Sequence, residues 1–209
     1  MLQQCNLSAF IFYLLIVFFF FCGILVLEFS TKGKKVENNI IDYTLGCIDK
    51  ENCLPTTNKV AQALGISIKE VDAFKQKDTQ YKEIVTLRKR FNSFDKKRKE
   101  GFKSFVNFYR WYVSQKKECH YCGATQEQLD RLFDDELIIS SKFNATLHIE
   151  QKTPKQGYSE NNCVLACALC NNAKSDMINE ENFKTYFADS MRTFISDLLS
   201  GKIANDVSG

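Results

Sequence analysis

The sequence predicts an α+β fold in which a mostly helical chain leads into a small unit of two strands and a helix. Two observations predict it. Apolar residues recur at three- and four-residue spacing through most of residues 36–117 and again in the C-terminal tail. Two short segments with strand character, LHIEQ and CVLAC, lie between two Cys-x-x-Cys pairs, and a helical segment follows the second of them.

Residues 1–31 form a segment of their own, dominated by the apolar run from Ala9 to Leu27. This run has no charged residue over nineteen positions, close to the roughly 20 apolar residues that cross a bilayer as a helix. Lysines follow it, and positive charge marks the cytoplasmic side of a membrane helix. We therefore expect either a single N-terminal transmembrane helix, which would anchor the rest of the chain on the cytoplasmic side of a membrane, or an artefactual extension of a soluble chain.

Residues 32–78 are predicted to contain two helices joined by a glycine turn. In TNKVAQALGISIKEVDAF, Thr57 or Asn58 can cap the first helix, Gly65 can end it in a left-handed conformation, and Ser67 can cap the second. The pattern resembles a helix-turn-helix DNA-binding module, whose second helix enters the major groove. The resemblance implies groove-facing candidates on that helix, among them Lys69, Lys75 and Gln76.

Residues 79–117 are predicted to be a basic helical connector. Residues 69–117 hold fifteen Lys and Arg against six Asp and Glu, a surplus that suits a polyanionic partner, although a solvated helical face gives the same pattern. The basic residues that we expect to meet DNA phosphates are Arg88, Lys89, Arg90, Lys96, Lys97 and Arg98. Aromatic residues at helical spacing are expected to pack between helices rather than to stack on bases. These aromatics are Phe105, Phe108, Tyr109 and Tyr112.

Four of the nine cysteines form the two Cys-x-x-Cys pairs. They are Cys119 with Cys122, and Cys167 with Cys170. Two such pairs make a tetrahedral zinc site of four sulfurs with no open position, so the zinc would be structural and would supply folding energy to a small, loop-rich unit. Cys163, in the CVLAC segment, is expected to be a small buried residue.

The chain between the two pairs reads as strand, loop and strand, and the second pair opens a helix. With zinc at the strand-to-helix corner, this unit resembles the HNH, or ββα-metal, endonuclease family. The resemblance predicts an HNH-type nuclease domain over residues 118–209, with a C-terminal helix. The apolar positions expected to face the core from that helix are Phe183, Phe187, Met191, Phe194, Ile195 and Leu198.

The family resemblance assigns roles to several residues between the strands and the helix. It implies that Glu150 is the carboxylate at the end of the first strand, that Asn171 begins the helix, and that Lys174 can hold a neighbouring phosphate oxygen. Either Asn161 or Asn162 would fix the loop. Because Glu150 and Asn171 offer oxygen ligands, they suit Mg²⁺ or Mn²⁺, and such an ion assists the hydrolysis of phosphodiester bonds.

Gln151 departs from the family pattern, because it stands where the family has its catalytic histidine. A glutamine amide cannot take a proton from water near neutral pH, so it can at most orient the nucleophile. The base would then come from Tyr121, as in some zinc-containing members that lack the histidine, from His148 on the same strand face as Glu150, from His120, or from no residue at all.

The sequence therefore predicts a divalent-metal-dependent endonuclease that hydrolyses phosphodiester bonds of duplex DNA, of restriction, homing or phage type. One alternative is a catalytically inactive regulator that keeps the zinc fold and binds DNA. Another is a membrane protein whose zinc domain is an interaction module. Cleavage of both strands at a symmetric site would favour a homodimer, but no residue argues for one.

Overall fold

A computed structural model describes residues 34–205 of the chain. It is mixed α and β, mostly helical, with a two-stranded antiparallel sheet, in agreement with the predicted α+β class. Two compact units divide the chain, one up to Val85 and the other from Thr86. The predicted apolar helix from Ala9 to Leu27 lies outside the described residues. Among residues 34–205, no helix is long and apolar enough to span a membrane.

The described residues form ten α-helices, two strands, a short 3₁₀ turn and a π-helical segment. The helices up to the first strand are α1 (34–51), α2 (Thr57–Leu64), α3 (Ile68–Lys77), α4 (Thr79–Asn92), α5 (Lys96–Phe102), α6 (Phe105–Ser114) and α7 (Gln126–Asp134). The later elements are β1 (His148–Gln151), the 3₁₀ turn (Pro154–Gln156), β2 (Cys163–Ala166), α8 (Ala168–Lys174), α9 (Glu180–Phe183), the π-helical segment (Lys184–Ala188) and α10 (Asp189–Leu199).

The first unit contains the predicted pair of helices with a glycine turn. Gly65 ends α2 with a φ of 65°, and Ser67 caps α3 in a capping box with Glu70, as their positions in the sequence predict. The cap of α2 is Thr56, whose side chain accepts a hydrogen bond from the Lys59 amide, so the expectation of Thr57 or Asn58 was one or two residues late. These caps set the ends of both helices.

A cluster of aromatic rings from α4, α5 and α6 forms a core of the second unit. Phe108 is fully buried, and its ring centroid lies between 5.2 and 6.1 Å from those of Phe91, Phe94, Phe102 and Trp111. The second unit begins at Thr86, so it includes all of these rings. The predicted packing role is confirmed for Phe105, Phe108 and Tyr109, all buried.

The ββα arrangement is built as the sequence predicts. Strand β1 pairs antiparallel with β2, with Glu150 opposite Val164, and α8 begins directly after β2. Every residue of β2 is buried, whereas β1 keeps three half-buried residues, which include Glu150. One strand is therefore core, and the other has side chains available for a site.

The C-terminal helical region packs through Phe183 of α9 and through Ile195 and Leu198 of α10, which are buried as predicted. Phe187 was also expected to be buried, but its side chain is exposed and Ala188 is buried instead. The π-helical segment explains the difference, because its wider turn shifts the face that meets the core by about one residue.

Helix α5 touches the loop after β1 through Gly101. A Cβ atom at this position would lie 2.2 Å from the Tyr158 carbonyl oxygen and 2.6 Å from its carbonyl carbon. These atoms belong to the backbone and cannot rotate away, so only glycine allows this approach. The contact joins α5 to the loop between the two strands.

We expect Gly101→Ala to destabilise the second unit by about 1–3 kcal/mol, because the added methyl group forces backbone apart in a packed region. The chain's single tryptophan, Trp111, is buried in this unit, so its fluorescence during urea unfolding measures the effect. Gly46→Ala is the matched control, since a Cβ there meets nothing within 4 Å. Equal midpoints for the two variants would contradict the contact.

Candidate metal centre and active site

The four predicted metal-binding cysteines come together in the structure. The Sγ atoms of Cys119, Cys122, Cys167 and Cys170 all lie within 4.8 Å of one another, and all four side chains are buried. The Cys122 and Cys167 sulfurs are 3.8 Å apart, too far for a disulfide bond of about 2.05 Å. Four sulfurs at about 2.3 Å from a zinc ion would be about 3.8 Å apart, so the cluster suits tetrahedral zinc.

Backbone hydrogen bonds bring the first pair of cysteines to the second. The His120 amide donates to the Leu165 carbonyl oxygen at 2.8 Å, which ties the first pair to β2. Cys167 caps α8, and its Sγ accepts from the Cys170 amide at 3.4 Å. Gly123 closes the first pair with a φ of 77°, a conformation that favours glycine. The fold therefore brings the four sulfurs together through local caps and turns.

Cys163 is buried as predicted and is not one of the clustered cysteines. Burial raises the pKa of its thiol to about 11, so this cysteine remains protonated at neutral pH. It is packed in β2 as a small apolar residue.

We expect Cys122→Ser to remove a bound metal and to unfold the second unit, because a structural zinc site contributes folding energy directly. Cys163→Ser is the matched control and should keep the metal. Elemental analysis of the purified proteins, with Trp111 fluorescence, measures both effects. Equal metal content in the two variants would contradict a four-sulfur site.

A polar cavity of about 490 Å³ opens beside β1 and α8 in the second unit. It brings together residues from both strand and helix with two arginines from α4 and α5. The predicted site residues that line it are Arg90, Arg98, His148, Glu150, Gln151 and Asn171. Segments that are distant in sequence therefore meet around one cavity, and Glu150 and Asn171 both line it.

Glu150 is paired with a buried lysine. Lys174 has no exposed surface, and its Nζ donates to Glu150 Oε1 and to the Gln151 carbonyl oxygen, both at 2.8 Å. Burial raises the pKa of Glu150, and Lys174 offsets part of this effect. Lys174 was expected to hold a phosphate oxygen. In the structure its Nζ bonds to two residues of β1, and Lys174 does not line the cavity.

The Gln151 side chain is engaged with the loop between the strands. With the amide nitrogen turned toward Pro154, it donates to the Pro154 carbonyl oxygen at 2.8 Å, and its oxygen accepts from the Tyr158 amide at 3.2 Å. Gln151 therefore clamps the two ends of a tight turn. The Gln151 amide therefore stabilises the loop. The role expected from the sequence was, at most, to orient a water molecule.

Asn162 fixes the same loop from its other end. Its side chain is buried, accepts from the Thr153 amide at 3.0 Å, and donates to the carbonyl oxygens of Thr153 at 2.9 Å and Gly157 at 2.6 Å. Asn161 is exposed. Of the two asparagines that the sequence left open, Asn162 makes the loop contacts.

We expect Asn162→Ala to destabilise the loop by about 1–3 kcal/mol, since the Thr153 amide and the Gly157 carbonyl oxygen lose their bonds to the Asn162 side chain. Asn161→Ala should have almost no effect. Amide hydrogen exchange at Thr153 measures the difference, because its N–H donates to the Asn162 side chain. Unchanged protection in the Asn162 variant would contradict this assignment.

Tyr121, one candidate base, lies in the core. Its side chain is 3% exposed, and its hydroxyl has no hydrogen-bond partner among residues 34–205. Its ring packs against those of His120 and Phe183 at 5.3 and 5.0 Å. Burial raises the pKa of the hydroxyl, and the carboxylates of Glu150 and Glu180 raise it further. The hydroxyl is not part of the cavity lining.

The two histidines have different surroundings. His120 Nε2 is 2.5 Å from Glu180 Oε1, and the ring lines a smaller recess beside Leu165. His148 lines the cavity that contains Glu150. Burial lowers the pKa of His148, and Arg90 and Arg98 lower it further, which favours the neutral form that can accept a proton. Of the three candidate bases, His148 alone is in this cavity.

The predicted DNA-binding residues fall into three groups. Exposed side chains are Lys69, Gln76, Lys89, Lys96 and Lys97. Arg90 and Arg98 line the cavity. Two others are engaged within the protein: Arg88 is buried over the Phe105 ring at 5.2 Å, and Lys75 Nζ lies 3.4 Å from the Pro55 carbonyl oxygen. Burial explains why these two are poorly placed for an external phosphate.

Several residues that line the cavity were not predicted from the sequence. Among them are Tyr158, Asn172 and Asp176. Asn172 directly follows Asn171, and Asp176 comes four residues later, just beyond the end of α8, so the segment NNAKSD carried a usable signal. Tyr158 had none, because its position depends on the packing of α5 against the loop.

Comparison with known proteins gives little beyond these observations. No protein-family model matches the sequence, and no curated protein matches it. Among solved structures, the chain is similar to the rare-cutting HNH restriction endonuclease PacI, at 20% sequence identity, with 60% of this chain and 80% of that chain covered and a TM-score of 0.35. At this level of similarity, no residue here takes a role from that enzyme.

Proposed function

We propose that this chain is a divalent-metal-dependent endonuclease that hydrolyses phosphodiester bonds of duplex DNA. The observation that carries the proposal is the cavity in which Glu150, Asn171 and His148 meet. Two oxygen donors and a nitrogen base around one polar cavity suit metal-assisted hydrolysis. The resemblance of the ββα unit to the HNH family agrees with this chemistry.

The residues fit a hard divalent cation such as Mg²⁺ or Mn²⁺. Carboxylate and amide oxygens are the ligands that these ions prefer, with water in the remaining positions. Lys174 uses Glu150 Oε1, and a carboxylate has a second oxygen that can bind a metal. When bound, the ion would stabilise the negative charge that develops on the phosphate and on the leaving oxygen.

The protein's own residues have separate tasks in this mechanism. His148 accepts a proton from the attacking water, since it lines the cavity and its pKa is lowered. Lys174 holds the Glu150 carboxylate in position from beneath β1. The exposed basic residues of α3, α4 and α5 attract the DNA backbone, and the clustered cysteines would hold a structural zinc ion that supports the ββα unit.

A regulator that binds DNA without cutting it is the second candidate. It is favoured by the engagement of Lys174 with Glu150 and of Gln151 with the loop, which together occupy two groups of the predicted catalytic set. Such a protein would bind duplex DNA without nicking it in Mg²⁺ or Mn²⁺.

We expect the full chain to nick supercoiled plasmid in Mn²⁺ or Mg²⁺. Asn171→Ala should lower the rate by about 10- to 100-fold through loss of a metal ligand. His148→Ala should lower it by about 100-fold or more through loss of the base. Glu150→Gln keeps an oxygen for Lys174 and should also lose activity.

The controls separate loss of chemistry from loss of folding. Glu160→Gln and Asn161→Ala change exposed loop residues and should keep the wild-type rate. Trp111 fluorescence should show that each variant is folded. Full nicking by His148→Ala, with loss in Tyr121→Phe, would move the base to Tyr121. Absence of nicking by the folded, metal-loaded wild type would favour the regulator.

A further inference from the structure

We propose that Arg90 and Arg98 form a clamp for a phosphodiester group inside the cavity, and that Gln151 holds this clamp in position through Tyr158. The inference rests on the proposed nuclease function and names the part of the site that grips the substrate backbone. It separates two arginines that act at the reaction centre from the exposed lysines, which attract DNA at a distance.

Arg90 is fixed beside β1. Its Nη2 donates to the Leu147 carbonyl oxygen at 2.7 Å, and its guanidinium carbon lies 5.8 Å from the centre of the Tyr112 ring. A guanidinium has five N–H donors, so the hydrogen bonds to the Leu147 carbonyl oxygen and to the Tyr112 side chain orient the group while other donors remain for a ligand. The side chain lines the cavity that contains Glu150.

Arg98 reaches the same cavity from α5, where aromatic rings hold it. Its guanidinium carbon lies 4.9 Å from the centre of the Tyr158 ring and 5.9 Å from that of Phe94. Its Nε is buried and makes no hydrogen bond within the described residues, while the Asp95 carboxylate lies 3.8 Å away. A guanidinium stacked on rings keeps its planar edge for bidentate bonds to a phosphate.

The neighbouring basic residues do not share this position. Lys89 and Lys97 precede Arg90 and Arg98 in sequence, but both are exposed and neither lines the cavity. Each arginine therefore has an adjacent lysine of the same charge outside the site. This arrangement separates the effect of position from the effect of charge.

Gln151 reaches Arg98 through one intermediate residue. Its side-chain oxygen accepts from the Tyr158 amide at 3.2 Å, and the Tyr158 carbonyl lies against Gly101 of α5. The Tyr158 ring in turn packs on the Arg98 guanidinium. Gln151 is thus a positioning residue, which fixes the loop that supports Arg98.

The test is the binding of a fluorescein-labelled, random-sequence 20-base-pair DNA duplex to the full chain by anisotropy, without added divalent cation and over a series of salt concentrations. We expect Arg90→Gln and Arg98→Gln to weaken binding at least about tenfold relative to Lys89→Gln and Lys97→Gln, because each loses charge-assisted hydrogen bonds at a fixed site. The salt dependence of binding should fall by about one phosphate contact for each arginine.

Gln151→Ala tests the positioning role. It should weaken binding as Arg98→Gln does, and the double variant should bind no more weakly than Arg98→Gln alone. Trp111 fluorescence should show that the single and double variants are all folded.

Three outcomes overturn the clamp: equal losses in the arginine and lysine variants, no measurable binding by the wild type, or additive losses for Gln151→Ala and Arg98→Gln. Failure of the nuclease proposal is distinguishable, because the arginine variants would then lose binding while the folded wild type cuts no plasmid. Conversely, normal binding by both arginine variants with metal-dependent nicking by the wild type would remove the clamp and keep the nuclease.

Discussion

The four-cysteine cluster is the constraint on which the rest of the second unit depends. Each strand of the sheet has only four residues, and an isolated two-stranded sheet is marginally stable in water. A metal bound by the cysteines would close the long segment between Cys122 and Cys167, and so offset the entropy that the closure costs. The same closure sets β2 against the first cysteine pair and starts α8 at a fixed angle.

Within that frame, one buried charge determines how β1 meets α8. Lys174 loses its hydration and has Glu150 and the Gln151 carbonyl as its partners. Removing one member of a buried pair leaves the other uncompensated, at a cost of about 3–5 kcal/mol. The ion pair with Lys174 therefore stabilises the fold and also fixes the Glu150 carboxylate. A substitution at Glu150 should change both the stability of the unit and the proposed chemistry.

The sequence predicted what depends on local spacing and missed what depends on packing between distant segments. The cysteine cluster, both strands, α8 and the caps at Gly65 and Ser67 follow from residue types at fixed intervals. The buried position of Lys174 could not be predicted, because it depends on the face that α8 turns toward β1. The contact between Gly101 and Tyr158 joins residues far apart in the chain, and no periodicity marks it.

Glu150 and Gln151 are adjacent, yet the structure gives them different surroundings. Successive side chains of a strand point to opposite faces, so the Glu150 carboxylate bonds to Lys174 while the Gln151 amide bonds to the loop, and both residues line the cavity. A histidine at position 151 would have to leave these loop bonds unmade or replace them with a ring that has one donor and one acceptor in fixed directions. The glutamine therefore agrees with the two roles proposed above. Gln151 would hold the loop and, through it, Arg98, and His148, on the same strand face as Glu150, would supply the proton acceptor.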